Sequence, residues 1–109
     1  MTYQRIGYTT GDRSLQMDFV FMDGGPAIGW RIYIINRMDY KARNTSFHAT
    51  HRLHTSGETY DYICWAGRIA TFEQAKAVAS LWSDATALYI RSGVDFDEIV
   101  KRLLKSNEE

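Results

Sequence analysis

The 109-residue chain has room for one domain, and 45% hydrophobic with 14% aromatic residues suffices to close one modest core. Thirteen basic and thirteen acidic side chains cancel, which argues against a surface that binds or imitates nucleic acid over its whole extent. Cys64 is the only cysteine, so no internal disulfide forms, and no window approaches the roughly 20 apolar residues of a membrane span. With no apolar run of signal-peptide length in MTYQRIGYTTGDR, a soluble protein of the cytoplasm is expected.

In chain order, residues 3–8 form a short candidate strand and TTGDRS a turn. LQMDFVFM alternates Leu15, Met17, Phe19 and Phe21 with Gln16, Asp18, Val20 and Met22, which predicts a strand with one face in the core. DGGPAIG, residues 23–29, holds three glycines and the only proline and reads as a loop. WRIYII alternates again, but its second face is only partly polar, which places this third strand centrally in its sheet. NRMDYKARN has no clean period and reads as a loop or irregular edge.

All three histidines fall in NTSFHATHRLHTSG at three-residue intervals. FHATHRLH, then TSGE, then TYDYICW predicts a hairpin turning near Ser56–Gly57. On such a strand His48 and His54 share a face and His51 points the other way. Registers in which paired residue numbers sum to 113 or 114 place Cys64 diagonal to His51 or to His48.

The last third is helical. Thr71 and Gln74 have capping-box spacing, and Phe72, Ala75, Val78, Ala79, Trp82, Ala85 and Tyr89 form an apolar stripe ending at Gly93 as C′ residue. Asp95 and Glu98 open a second helix with Phe96, Ile99, Val100 and Leu103 on one face, and KSNEE is expected to fray. Strands followed by helices predict an α+β domain over residues 1–109, strands within 1–66 and helices within 71–105: an antiparallel sheet of four to five strands with two C-terminal helices packed on one face.

Three site readings follow. Charge is uneven: residues 31–54 carry five bases against Asp39, net +4, while residues 55–109 carry six bases against nine acids, net −3. Arg31, Tyr33, Arg37, Tyr40, Lys41, Arg43 and Arg52 interleave aromatics with bases, a pattern suited to a protein interface and, secondarily, to stacking bases and binding phosphates. Cys64 with His48 and His51 supplies soft and imidazole ligands for zinc, needing a further ligand such as Asp61 or Asp39. HAT and HTS repeat an H-x-T/S pattern that resembles two-histidine phosphoesterases, which would make His48 and His54 an acid–base pair. Here the two motifs lie six residues apart in an unduplicated chain, unlike the separate halves of that family. Cys64 as a nucleophile is disfavoured by the bulky neighbours in YICW.

HATHRL together with YICWAGRIATFEQAKAVASLWSDATALYIRSG resembles small proteins carried by phages and mobile elements of Gram-positive bacteria, among them anti-CRISPR inhibitors of Cas9. The resemblance implies a stoichiometric, non-enzymatic binder of Cas9 or its guide-loaded complex that blocks nucleic-acid loading or nuclease movement. It carries no catalytic residues to transfer, and a neutral chain departs from the strongly acidic inhibitors that mimic DNA.

Overall fold

The computed structural model describes residues 3–107. Five strands form one antiparallel sheet in the order β1-β2-β3-β5-β4: β1 Tyr3–Thr9, β2 Gln16–Asp23, β3 Trp30–Ile34, β4 Arg52–Leu53 and β5 Tyr62–Ile63. Between β3 and β4 lies α1, Phe47–Thr50, and after β5 come α2, Phe72–Ser92, and α3, Phe96–Asn107. The α+β architecture expected from the sequence is present, with β3 in the middle of the sheet.

Alternation in β2 and β3 does what its period dictates. Met17, Phe19, Phe21, Ile32 and Ile34 are buried against Ala75, Val78, Ala79, Trp82 and Ala85 of α2. Burying a side chain of Phe or Ile size contributes on the order of 2–3 kcal/mol each, so this inner layer dominates the fold's stability. The rings meet edge to face, Phe19 on Phe21 at 6.0 Å and on Trp82 at 6.2 Å. Helix α3 packs on α2 and closes the core with Phe96 and Ile99.

Helix α2 starts and stops where its caps stand. The Thr71 hydroxyl accepts from the Gln74 N–H at 3.0 Å, and Gly93, at φ +74°, donates its N–H to Tyr89 O. Arg43 reinforces that end, donating from Nε to Ile90 O at 3.0 Å and from Nη2 to Arg91 O at 3.1 Å. Helix α3 runs to Asn107, so Lys105 to Asn107 of the expected frayed tail are helical, and the last two residues lie outside the described ones. Among the described residues no helix is long and apolar enough to cross a membrane.

The histidine segment departs from the expected strand. Phe47–Thr50 is a single helical turn: the Ser46 hydroxyl accepts from the Ala49 N–H at 3.2 Å, and the Thr50 N–H reaches Ser46 O at 3.0 Å. His51 closes the turn in the left-handed region, φ 52° and ψ 48°. Long-range partners hold it there. Trp82 Nε1 donates to Thr50 O at 3.1 Å in the core, and the Tyr89 hydroxyl donates to Asn44 O at 2.8 Å. Only Arg52 and Leu53 remain as strand, paired with Ile63 and Tyr62, a sum of 115 in place of 113 or 114. The register shifts because the connection turns at Thr55–Glu58 and then runs on to Asp61, longer than a two-residue hairpin.

Candidate functional site

The observed register puts His51, not His48, beside Cys64, directly opposite and not diagonal: the Cys64 N–H donates to His51 O at 2.9 Å. His48 stands exposed on α1. The His51 ring stacks on Phe96, centroids 4.6 Å apart and planes 20° apart, and its Nε2 lies 2.9 Å from Asp97 Oδ1. Beside these groups opens a cavity of about 360 Å³ lined by His51, Cys64, Trp65, Leu81, Trp82, Phe96, Asp97 and Val100, with Ala66 at its rim. As zinc ligands His51 and Cys64 make two. Among the described residues no group of three or more His, Cys, Asp or Glu side chains stands together as a metal site.

His54 is held elsewhere. Its Nδ1 lies 2.9 Å from Asp61 Oδ1, and the other oxygen of Asp61 accepts from Arg52 Nη1 at 3.0 Å. None of the clefts described here is lined by both His48 and His54.

The basic, tyrosine-bearing segment divides into groups that build the fold and groups left over. Arg31 lies over the Tyr62 ring at 4.2 Å and reaches Glu58, whose Oε2 accepts from the Tyr33 hydroxyl at 2.9 Å. Burial pushes the Tyr33 hydroxyl above its ordinary range. Arg43 caps α2, and Lys41 pairs with Asp39 at 3.2 Å on the surface, where the contact contributes little. Backbone and side-chain donation from Lys41 holds the Asp39 carboxyl below its usual range.

Arg52 is the most engaged of the set. Its side chain is only 14% exposed. It donates from Nε to Thr50 Oγ1 at 2.9 Å, from Nη1 to Asp61 and from Nη2 to Thr45 O at 2.9 Å, while covering the rings of Tyr40 and Phe47. Tyr40 is 4% exposed, its hydroxyl makes no hydrogen bond of normal geometry among the described residues, and burial pushes its pKa up to about 12. Sequence reasoning took Tyr40 and Arg52 as surface groups; the local pattern does not show that residues 36–54 wrap back onto α2.

Arg37 is the exception: exposed, with no salt bridge or side-chain hydrogen bond among the described residues. It rims a polar cleft of about 450 Å³ bordered by Asn36, Tyr40, Thr45, Arg52, Thr59, Tyr60 and Asp61. Tyr60, 42% exposed, stands on the same rim. Next to it the outward face of the sheet offers a shallow apolar hollow of Val20, Met22, Tyr33 and Ile35 under Gly57–Tyr60. A free guanidinium beside an exposed phenol and apolar ground is what an acidic, partly apolar segment of another chain would meet.

No protein-family model, no curated protein and no solved structure matches the chain.

Proposed function

We propose that the protein is a non-enzymatic binding protein that engages an acidic segment of a partner protein at the cleft between Arg37 and Tyr60. The observation that carries the reading is the contrast within the basic segment. Arg31, Arg43 and Arg52 are used by the fold, and Arg37 is left with its charge open on the rim of a polar cleft. A phosphate would meet the same donors, which keeps nucleic-acid contact within the chemistry of the cleft.

The resemblance of the second half to small phage and mobile-element proteins supplies the partner to test first, Cas9 in its guide-loaded form, with this protein as a stoichiometric inhibitor. Pull-down of guide-loaded Cas9 should succeed with the natural chain and fail with Arg37→Glu combined with Tyr60→Ala. DNA cleavage should fall as the protein approaches one equivalent. A nuclease that cuts equally well in its excess removes the Cas9 assignment, and unchanged capture by the double variant removes the cleft.

A zinc-stabilised form of the fold draws on one observation, the placement of His51 directly opposite Cys64. It needs two more ligands. Elemental analysis of protein purified without added metal decides it: one equivalent of zinc per chain supports that form, and a trace ends it.

A further inference from the structure

We propose that the cavity between β4–β5, α2 and α3 is a binding site for a small, flat aromatic molecule carrying one N–H or O–H donor. The volume of about 360 Å³ lies in the range of small-molecule sites, and the walls have the composition such sites share. Trp65, Leu81, Trp82, Phe96 and Val100 make it apolar, and the polar groups are confined to His51, Cys64 and Asp97. Trp65 is 36% exposed, so the apolar wall reaches the surface where a ligand enters.

The polar side selects for a donor. His51 Nε2 lies 2.9 Å from Asp97 Oδ1, and Nδ1 has no side-chain partner among the described residues; with the ring proton on the Asp97 side, Nδ1 is an acceptor. Asp97 has a second carboxylate oxygen, and the Cys64 sulfur is a weak acceptor. Three acceptors with one formal negative charge favour an N–H or O–H and disfavour an anion. Flatness follows from the wall: His51 already stacks on Phe96, and the rings of Trp65 and Trp82 line the same space.

The site does not rest on the partner-binding cleft. No residue lines both, so Arg37→Glu should leave ligand binding unchanged. Indole is the probe because it has two fused rings and one N–H donor. Calorimetric titration into the full-length protein should give saturable one-to-one binding with a Kd on the order of 0.1–1 mM, ordinary for so small a ligand in a preformed site. Saturating indole should slow alkylation of Cys64 by iodoacetamide severalfold, read by intact mass.

Val100→Phe, which fills the cavity from α3, should weaken indole at least tenfold with an unchanged melting temperature. Ala66→Phe, on the exposed side, does the same if Val100→Phe fails to fold. The absence of saturable binding overturns the proposal. So does equal binding by the filled variants, or an alkylation rate that indole leaves unchanged. Binding of N-acetyl-tryptophanamide at concentrations where free indole does not bind also overturns it, since the cavity would then be a notch for a partner's side chain.

Discussion

Replacing Arg52 by Met tests whether the basic segment is mainly internal scaffolding. The guanidinium makes three hydrogen bonds, to Thr50 Oγ1, Asp61 Oδ2 and Thr45 O, from a side chain that is 14% exposed. Hydrogen bonds to a charged group contribute about 1.5–3 kcal/mol each when buried. Partial solvation of Asp61 and the Met side chain's own cover over Tyr40 reduce the total to about 3 kcal/mol. Asp61 is then left with only His54. In urea, with a slope of about 1–1.5 kcal/mol/M for a chain of this size, the midpoint should fall by about 2–3 M. The melting temperature should fall by about 13 °C. Arg37→Met, at the exposed and unpaired position, should stay within about 0.5 kcal/mol of the natural chain. If Arg52→Met loses less than about 1 kcal/mol, or Arg37→Met loses more than Arg52→Met, the division into structural and free arginines is wrong.

The other tests are shorter. Tyr40→Phe removes a buried hydroxyl that makes no hydrogen bond of normal geometry among the described residues and should be neutral or stabilising by up to about 1 kcal/mol at pH 7 in the same urea assay. Its alkaline arm has a definite sign. The folded pKa, about 12, lies above the ordinary 10.0, so the contribution is complete below pH 10 and is lost as pH rises towards 12, about 2–3 kcal/mol in all. That part of the loss should be missing from Tyr40→Phe when midpoints at pH 9 and pH 11.5 are compared. Gly29→Ala should cost about 3 kcal/mol, because a Cβ there would sit 2.5 Å from Ile69 O at φ +79°. Gly57→Ala, also at positive φ but facing open space, should cost only about 1 kcal/mol. On the acid side, the Ser14 N–H holds the Asp12 carboxyl below 3.8, so its contribution is present above that pH and lost as pH falls below it. Asp12→Asn should flatten the acid limb of a melting-temperature profile.

Where period and caps speak together, local sequence was sufficient. Met17, Phe19 and Phe21 alternate and are buried, and Thr71 and Gly93 bound a stripe that is buried along α2. The segment from Asn44 to Cys64 was not legible in this way. Phe, His and Thr at residues 47–50 suit a strand by propensity, yet Trp82 and Tyr89, more than thirty residues away in sequence, hold the backbone in a helical turn. One local signal was present: Ser46 three residues before Ala49 is an N-cap arrangement, and Asn44 Oδ1 fixes the Ser46 N–H. The cavity beside Cys64 was half visible. A Cys–His encounter was expected, but Asp97 and Phe96 arrive from α3, and no hairpin register predicts them. The roles of the arginines were hidden for a related reason: whether a guanidinium is free depends on which carbonyls and carboxylates the fold brings to it.

The Trp82 indole bonded to Thr50 O also bears on how the molecule opens. Elements of four, two and two residues, α1, β4 and β5, carry little cooperativity of their own, while β1–β3 and α2 form an extended, densely paired body. Amide exchange should therefore separate the chain into two tiers. Thr50 and Cys64 should exchange together by an opening that releases the indole and leaves β2 protected, and Trp82→Phe should speed both without touching the amides of Phe19 and Phe21 to the same degree. Both the Arg37 cleft and the aromatic cavity border this looser tier, so whatever fills either one is expected to slow its opening.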